Sequence, residues 1–352
     1  MKKSLIALAV LAASGAAMAQ SSVTLFGIAD VGVGYVKNSG GDSNYGLTNG
    51  GLATSRLGFR GVEDLGGGLK AGFWLEGGLT LDDGTASGFN FKRRSTISLM
   101  GNFGEVRLGR DLTAGYKTVL NYDLFGQVGM GSFLGTSNNL YGTTDDADGQ
   151  RASNLIAYHS NDIAGFKGGL QYGFGENAGS NKINRYLGAY LGFDNGPLSV
   201  TIAGDRNNFA GSLPVVVGVT NTDRTQLSLG ASYDLGMLKL SGLVQRVEFE
   251  PVGSAADRKY DNWMLGASAP VGPGTIKAQY ASYDQKGSSD DAQQLSVGYQ
   301  YDLSKRTAVY TTVSYLKNKN ASAVALGGSG LALTPVSGSN QTGFQVGVRH
   351  AF

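Results

Sequence analysis

Hydropathy along this chain repeats every second residue, and that period sets what the chain can become. From Gln294 the residues Leu295, Val297, Tyr299, Tyr301 and Leu303 fall on one side, with Gln294, Ser296, Gly298, Gln300 and Asp302 on the other. The stretch from Gln226 repeats the pattern, setting Leu227, Leu229, Ala231, Tyr233 and Leu235 against Gln226, Ser228, Gly230, Ser232 and Asp234. The last residues do so again, with Phe344, Val346, Val348, His350 and Phe352 on one face and Gln345, Gly347 and Arg349 on the other. Side chains alternate across a strand, so each stretch reads as a strand with one apolar and one wet face. Counting such stretches and the breakers between them gives about sixteen strands. They begin near Val23, Thr54, Leu69, Phe91, Gly104, Arg151, Gly165, Arg185, Pro197, Arg224, Met237, Asp261, Thr275, Ala292, Thr307 and Thr342.

The first nineteen residues stand outside this pattern. Lys2 and Lys3, the apolar run Leu5 to Leu11 and Ala17-Met18-Ala19 form the three parts of an export signal, cleaved before Gln20. The apolar run is shorter than the roughly 20 residues a membrane helix needs. The organisation expected is therefore 1–19 as a removed signal and 20–352 as one barrel domain. No later apolar run is long enough to span as a helix, so a membrane would be crossed by strands.

Connections alternate in length. Tight turns such as Asp64 to Gly68, Asn102-Phe103, Asp194-Asn195-Gly196 and Gly272-Pro273-Gly274 alternate with longer polar stretches around Asn38 to Ala53, Asp82 to Gly88, Ala210 to Asp223, Glu250 to Tyr260 and Asn320 to Asn340. Short turns on one rim and long loops on the other build a transmembrane β-barrel. The 333 residues after Ala19 allow about 21 for each strand and its connection, and a membrane strand uses roughly 9 to 11. The fold class expected is all-β: a transmembrane antiparallel barrel of about 16 strands.

Composition fits a barrel wet inside and apolar outside. Charged residues make up 16%, glycines number 56, and 17 Tyr and 15 Phe argue against disorder. Aromatics recur at strand ends, at Tyr35, Phe73, Tyr172, Phe174, Phe193, Tyr233, Tyr301 and Tyr315, where amphipathic rings favour the membrane interface. No Cys is present, which excludes disulfides and thiolate sites. Without Lys2 and Lys3 the basic and acidic counts are equal, so no basic footprint for nucleic acid exists. His159 and His350 lie beside no nucleophile pattern, and no Gly-x-Ser-x-Gly or phosphate-loop motif occurs, so neither catalysis nor a cofactor is expected.

Several segments together carry a resemblance: Ser22 to Gly27, Ser55-Arg56-Leu57-Gly58-Phe59-Arg60-Gly61-Val62-Glu63-Asp64-Leu65-Gly66, Gly104-Glu105-Val106-Arg107-Leu108-Gly109-Arg110, Arg151 to Tyr158, and the ending His350-Ala351-Phe352. In these the chain resembles the general trimeric porins of Gram-negative outer membranes, particularly their β-proteobacterial branch. The resemblance implies a homotrimer among outer-membrane lipid and lipopolysaccharide, open to ions and small hydrophilic solutes. It makes Phe352 the mark presented to the barrel-assembly machinery. Small outward residues, Gly27 and Ala29, would suit the subunit contact.

The connection from Leu112 to Gln150 is the longest, and loops of this length are usually functional or disordered. Its rings Tyr116, Tyr122, Phe125, Phe133 and Tyr141 argue for packing against a wall. The resemblance makes it the third loop, folded into the lumen, with Asp123 facing the channel and Arg151 a pore arginine. Asp145, Asp146 and Asp148 lack the Glu that a calcium loop would need at Leu155 and read as solvated. Alternation places Arg56 and Arg60 inward, Arg94 inward, and Arg107 inward with Glu105. The constriction expected is thus Arg56, Arg60, Arg94, Arg107 and Arg151 against Glu105, Glu76 and Asp123. Charge rings set ion preference, and an excess of arginine favours anions. The competing readings are a sugar- or phosphate-specific porin, for which inward Phe26, Trp74 and Tyr310 look too scattered, and a plugged surface adhesin.

Overall fold

The computed structural model describes residues 22–84, 90–126, 128–141, 149–180, 182–210, 221–252, 256–327, 330–331 and 333–352. The signal-peptide residues Lys2, Lys3, Ala17 and Ala19, the cleavage residue Gln20, and Asp145, Asp146 and Asp148 lie outside the described residues. In chain order the elements are β1 (Ser22–Asn38), β2 (Ser43–Asn49), β3 (Arg56–Gly66), β4 (Leu69–Gly78), β5 (Arg94–Gly101), β6 (Gly104–Leu112), α1 (Ala114–Tyr122) and α2 (Phe133–Tyr141). There follow β7 (Arg151–His159), β8 (Phe166–Gly173), β9 (Tyr186–Asn195), β10 (Leu198–Ala210), β11 (Asn221–Asp234) and β12 (Lys239–Pro251). The last are β13 (Arg258–Val271), β14 (Gly274–Gln285), β15 (Ala292–Asp302), β16 (Thr307–Asn318) and β17 (Gln341–Ala351).

All strands join one antiparallel sheet that closes on itself. Closure pairs β1 with β17 in the register Ile28↔Ala351 through Asn38↔Gln341. The terminal residue completes it, since Phe352 and Gly27 exchange backbone hydrogen bonds of 2.9 and 3.0 Å. Closure leaves no sheet edge, which a lipid environment requires.

Among the described residues seventeen strands make sixteen staves. The outer half of β1 pairs with β2, Val31↔Asn49 to Lys37↔Ser43, and its inner half pairs with β3, Ser22↔Val62 to Ile28↔Arg56. β2 and β3 are therefore one stave, interrupted at residues 50–55. The expectation of a long polar loop up to Ala53 is corrected here: residues 43–49 do alternate, with Tyr45 and Leu47 outward and Thr48 buried inward. Closely spaced glycines diluted that signal.

The two faces follow the sequence parity. On β11 Leu227, Leu229 and Tyr233 are exposed on the outside, while Gln226 and Ser228 are buried on the inside. The exposed outer face continues through Tyr35, Tyr172, Phe174, Tyr301 and Tyr315. Inside, polar side chains are buried because the third loop lies on them. All five of its expected rings, Tyr116, Tyr122, Phe125, Phe133 and Tyr141, are buried. Tyr116, Val119, Tyr122, Phe133 and Leu134 form an apolar core with Leu243, Met264, Tyr283 and Leu316 of the wall. Gly230 makes room for this, since a Cβ there would lie 2.1 Å from the Tyr122 ring. Two residues of the last loop, Val324 and Leu326, join the same core.

Candidate functional site

The waist is assembled from β3 to β7, from the inturned residues 50–55 and from the third loop. Thr54 of the inturned segment, Leu120 and Gly126 of the loop, and Arg56, Arg94 and Arg151 of the wall line one opening. Parity placed Arg56, Arg60, Arg94, Glu105 and Arg107 on the water face; all but Arg60 meet at the waist, where the expected Glu76 joins them. Arg56 Nη1 lies 3.4 Å from Glu76 Oε1, and its Nε donates to the Thr54 carbonyl at 2.9 Å. Glu76 also accepts from Arg93 Nε at 2.7 Å and from Trp74 Nε1 at 3.1 Å. Arg107 grips both oxygens of Glu105, at 3.0 and 2.8 Å, and donates to Asp111 as well. Arg94 Nε lies 3.6 Å from Asp111. Arg151 Nε donates to the Arg93 carbonyl at 2.9 Å, which brings it to the same rim.

Two expected site residues sit elsewhere. Arg60 lies four residues nearer the short turn that ends β3 and is exposed; its guanidinium stands 5.2 Å from the Phe26 ring and 5.1 Å from Trp74. Asp123 does not face the channel. It is buried beneath the loop, where its carboxylate accepts from Phe125 N at 3.1 Å, Leu134 N at 3.1 Å, Ser132 Oγ at 3.2 Å and Gln279 Nε2 at 3.1 Å. The cause is local: Asp123 caps the C-terminus of α1 just where the chain turns toward α2, so its side chain closes that turn. Burial pushes this carboxyl up to about 6, against the opposing pull of those four donors.

Other members of the site were missed in the sequence. Arg93 directly precedes β5, and alternation from the expected start near Phe91, with Arg94 inward, sets it on the outer face. Asp111 was legible, because two further double steps from Arg107 on the same face arrive there. Lys117 rides on α1, outside any strand period, with its amine 5.8 Å from the Tyr190 ring.

Asp30 explains the broken stave. It is buried on the inward face of β1. Its Oδ2 accepts from Leu52 N at 2.9 Å and Ala53 N at 2.8 Å, and its Oδ1 accepts from Tyr310 Oη at 2.7 Å. Its backbone carbonyl accepts from Gly50 N at 2.8 Å and from Ser55 Oγ at 3.0 Å. Charge-assisted bonds of this kind are the strong ones. They hold residues 50–55 turned inward, and with them the Thr54 carbonyl that steadies Arg56.

At this waist five guanidiniums, from Arg56, Arg93, Arg94, Arg107 and Arg151, meet three carboxylates, from Glu76, Glu105 and Asp111. The cluster thus holds more guanidinium than carboxylate.

The Gram-negative porin family model matches residues 5–321. The chain is 54% identical, over the full length of both, to outer membrane porin protein 32 of Delftia acidovorans. Among solved structures it matches the anion-selective porin from Comamonas acidovorans with a TM-score of 0.87 and 51% identity, over 95% of this chain and all of that one. A trimer form of OmpT from Vibrio cholerae shares the fold at a TM-score of 0.68 and 18% identity, over 94% of this chain and 99% of that one. With a closed sixteen-stave barrel, an apolar outer face and a charged waist, the chain belongs to the Gram-negative porin family, whose home is the outer membrane.

Proposed function

We propose that this porin is a general diffusion channel that passes small hydrophilic solutes and ions passively, with a weak preference for anions. The observation that carries the reading is the excess of guanidinium over carboxylate at the waist. The anion-selective porin from Comamonas acidovorans, similar over nearly the whole chain, supports it. The working form is a homotrimer set in outer-membrane lipid and lipopolysaccharide. Residues 1–19 direct export and are removed, and Phe352 presents the last strand to the barrel-assembly machinery. No catalytic step belongs to this reading: His159 Nδ1 shares a hydrogen bond with Tyr190 Oη at 3.0 Å, and His350 on the outer face shares one with Thr307 Oγ1 at 2.9 Å.

The test is single-channel recording of the purified protein in a planar bilayer under a potassium chloride gradient. Stepwise conductance proportional to salt, with a reversal potential of anion-selective sign, is expected. A cation-selective sign overturns the role of the arginines, and a folded, inserted barrel that stays silent overturns the channel.

A further inference from the structure

Below the waist the channel wall carries apolar side chains that a water-filled lumen does not require. Val62 and Met100 both fall on the inward parity, on β3 and β5, and Gly72 of β4 lies between those strands. A Cβ on Gly72 would stand 2.9 Å from Met100 Cε and 3.6 Å from Val62 Cγ2, so the missing side chain lets Met100 lie over β4, and all three residues line a hollow. Val62 is 50% exposed. The hollow is bordered by Arg60, Trp74 and Arg94.

Those borders are preorganised. Arg60 on the strand to one side of Trp74 and Arg94 on the strand to the other hold their guanidiniums 5.1 and 4.6 Å from the indole. Phe26 meets the indole edge-on, with centroids 4.9 Å apart. Stacking on rings restricts the arginine side chains; Arg94 Nε donates to Thr96 Oγ1 at 3.1 Å, so its terminal nitrogens and the guanidinium of Arg60 are what face an oxyanion. Arg60 has no carboxylate partner among the described residues. Glu105, also at the hollow, has both oxygens engaged by Arg107 and so opposes an incoming anion less.

We propose that this hollow is a recognition subsite for arenecarboxylates, that is, a planar carboxylate carried on a flat apolar ring. The carboxylate meets Arg60 and Arg94, and the ring covers Val62 and Met100. The proposal rests on the channel reading above, and it adds a solute class that a charge ring alone would not distinguish. The rings expected to be too scattered for a specific site are in part gathered here: Phe26 and Trp74 touch, while Tyr310 serves Asp30 instead.

Two measurements test it. In bilayers, benzoate should depress the chloride current at concentrations about fivefold below acetate, the gain from covering part of one ring. The double variant Val62→Ser with Met100→Ser keeps every charge, and should conduct chloride normally while blocking equally with benzoate and acetate. Equal block in the unaltered protein, or an undiminished preference in the double variant, overturns the proposal. The second readout needs no current. The chain has two Trp, and in a Trp263→Phe background the emission comes from Trp74 alone. Benzoate should change that emission saturably, acetate should not, and a linear or absent response overturns the subsite. A silent channel whose Trp74 still responds saturably would sink the pore reading and leave the subsite standing.

Discussion

The two walls of this lumen occupy the same half of the strand period and are put to opposite uses. On β3 to β6 the inward residues include arginines and carboxylates paired with one another, as in the cluster around the buried Glu76 and Asp111. On β11 to β15 they are neutral amides, Gln226, Gln245, Asn262, Gln279 and Gln294, and all are buried. The amides bind the third loop: Gln279 Oε1 accepts from Leu124 N at 3.0 Å, Gln294 Nε2 donates to the Met130 carbonyl at 3.0 Å, and Gln245 Oε1 accepts from Tyr141 Oη at 2.9 Å. Charges on this wall are tied down, Arg224 to Asp205 at 3.2 Å and Lys277 to the Leu124 carbonyl at 3.1 Å. Burying a free charge is costly, whereas an amide offers a donor and an acceptor at smaller desolvation cost. A wall that must be covered is therefore written in Gln and Asn, and a wall that must stay wet is written in Arg, Asp and Glu.

The contrast breaks most sharply on the open wall. Replacing Arg56, Arg94 and Arg151 together by Gln should cancel the positive excess of the waist and shift the anion-to-cation permeability ratio by about tenfold toward cations. Reversal potentials in a salt gradient measure this, and an unchanged ratio would place the selectivity elsewhere. The barrel should stay folded, because Glu76 keeps Arg93 and Trp74 and Asp111 keeps Arg107 as partners.

On the covered wall the large effect is structural. Asp123→Ala strands the donors of Phe125 N, Leu134 N, Ser132 Oγ and Gln279 Nε2, and should weaken loop docking by about 2–3 kcal/mol. Hydrogen exchange in residues 113–141 should accelerate and single-channel current should become noisy, with the selectivity sign kept. Selectivity reversal without faster exchange would mean that Asp123 acts on the passage after all.

A smaller effect follows from pH. The Asp123 carboxyl titrates at about 6 in the folded protein, above its ordinary value of 3.8. The folded state thus holds the proton more tightly, so this contribution to docking is complete below pH 3.8 and is lost as pH rises through 6. Exchange in the loop, corrected for intrinsic rates, should quicken by about tenfold or more between pH 4 and 7. Asp123→Asn should flatten that profile, and a native profile already flat would contradict the assignment. Least of all should follow from Arg246→Gln. The pair Arg246–Asp261 at 2.7 Å stands exposed on the outer surface, so conductance, selectivity and melting should not move.

Much of this was legible because a strand admits only two faces. Parity alone put Arg56, Arg94, Glu105 and Arg107 in water, and the same count would have reached Asp111. Arg93 escaped because the count that turns Arg94 inward turns its neighbour outward, while Arg93 in fact precedes the strand and is not bound by that count, and Lys117 because a helix obeys another period. Asp123 was misplaced because an acid in a loop carries no parity, and nothing local says whether a turn will be covered. The broken second stave escaped for a related reason. Residues 43–49 alternate, but only Asp30, across the sheet, explains why residues 50–55 turn inward.

The sequence by itself determined the barrel, its even number of staves, which face is wet, and the family. The family rests on the resemblance of particular segments; the barrel, its stave count and its wet face depend on the covalent alternation of side chains along a strand, which no later packing can reverse without moving every apolar residue into water. The tertiary structure decided which wet residues stay wet. It laid the third loop on the amide wall, left the arginine wall bare, buried Asp123 and gathered Arg60 with Trp74 into a hollow of their own. Those outcomes depend on contacts between residues tens to hundreds of positions apart, such as Asp30 with Tyr310 and Asp123 with Gln279, and local period carries no record of them.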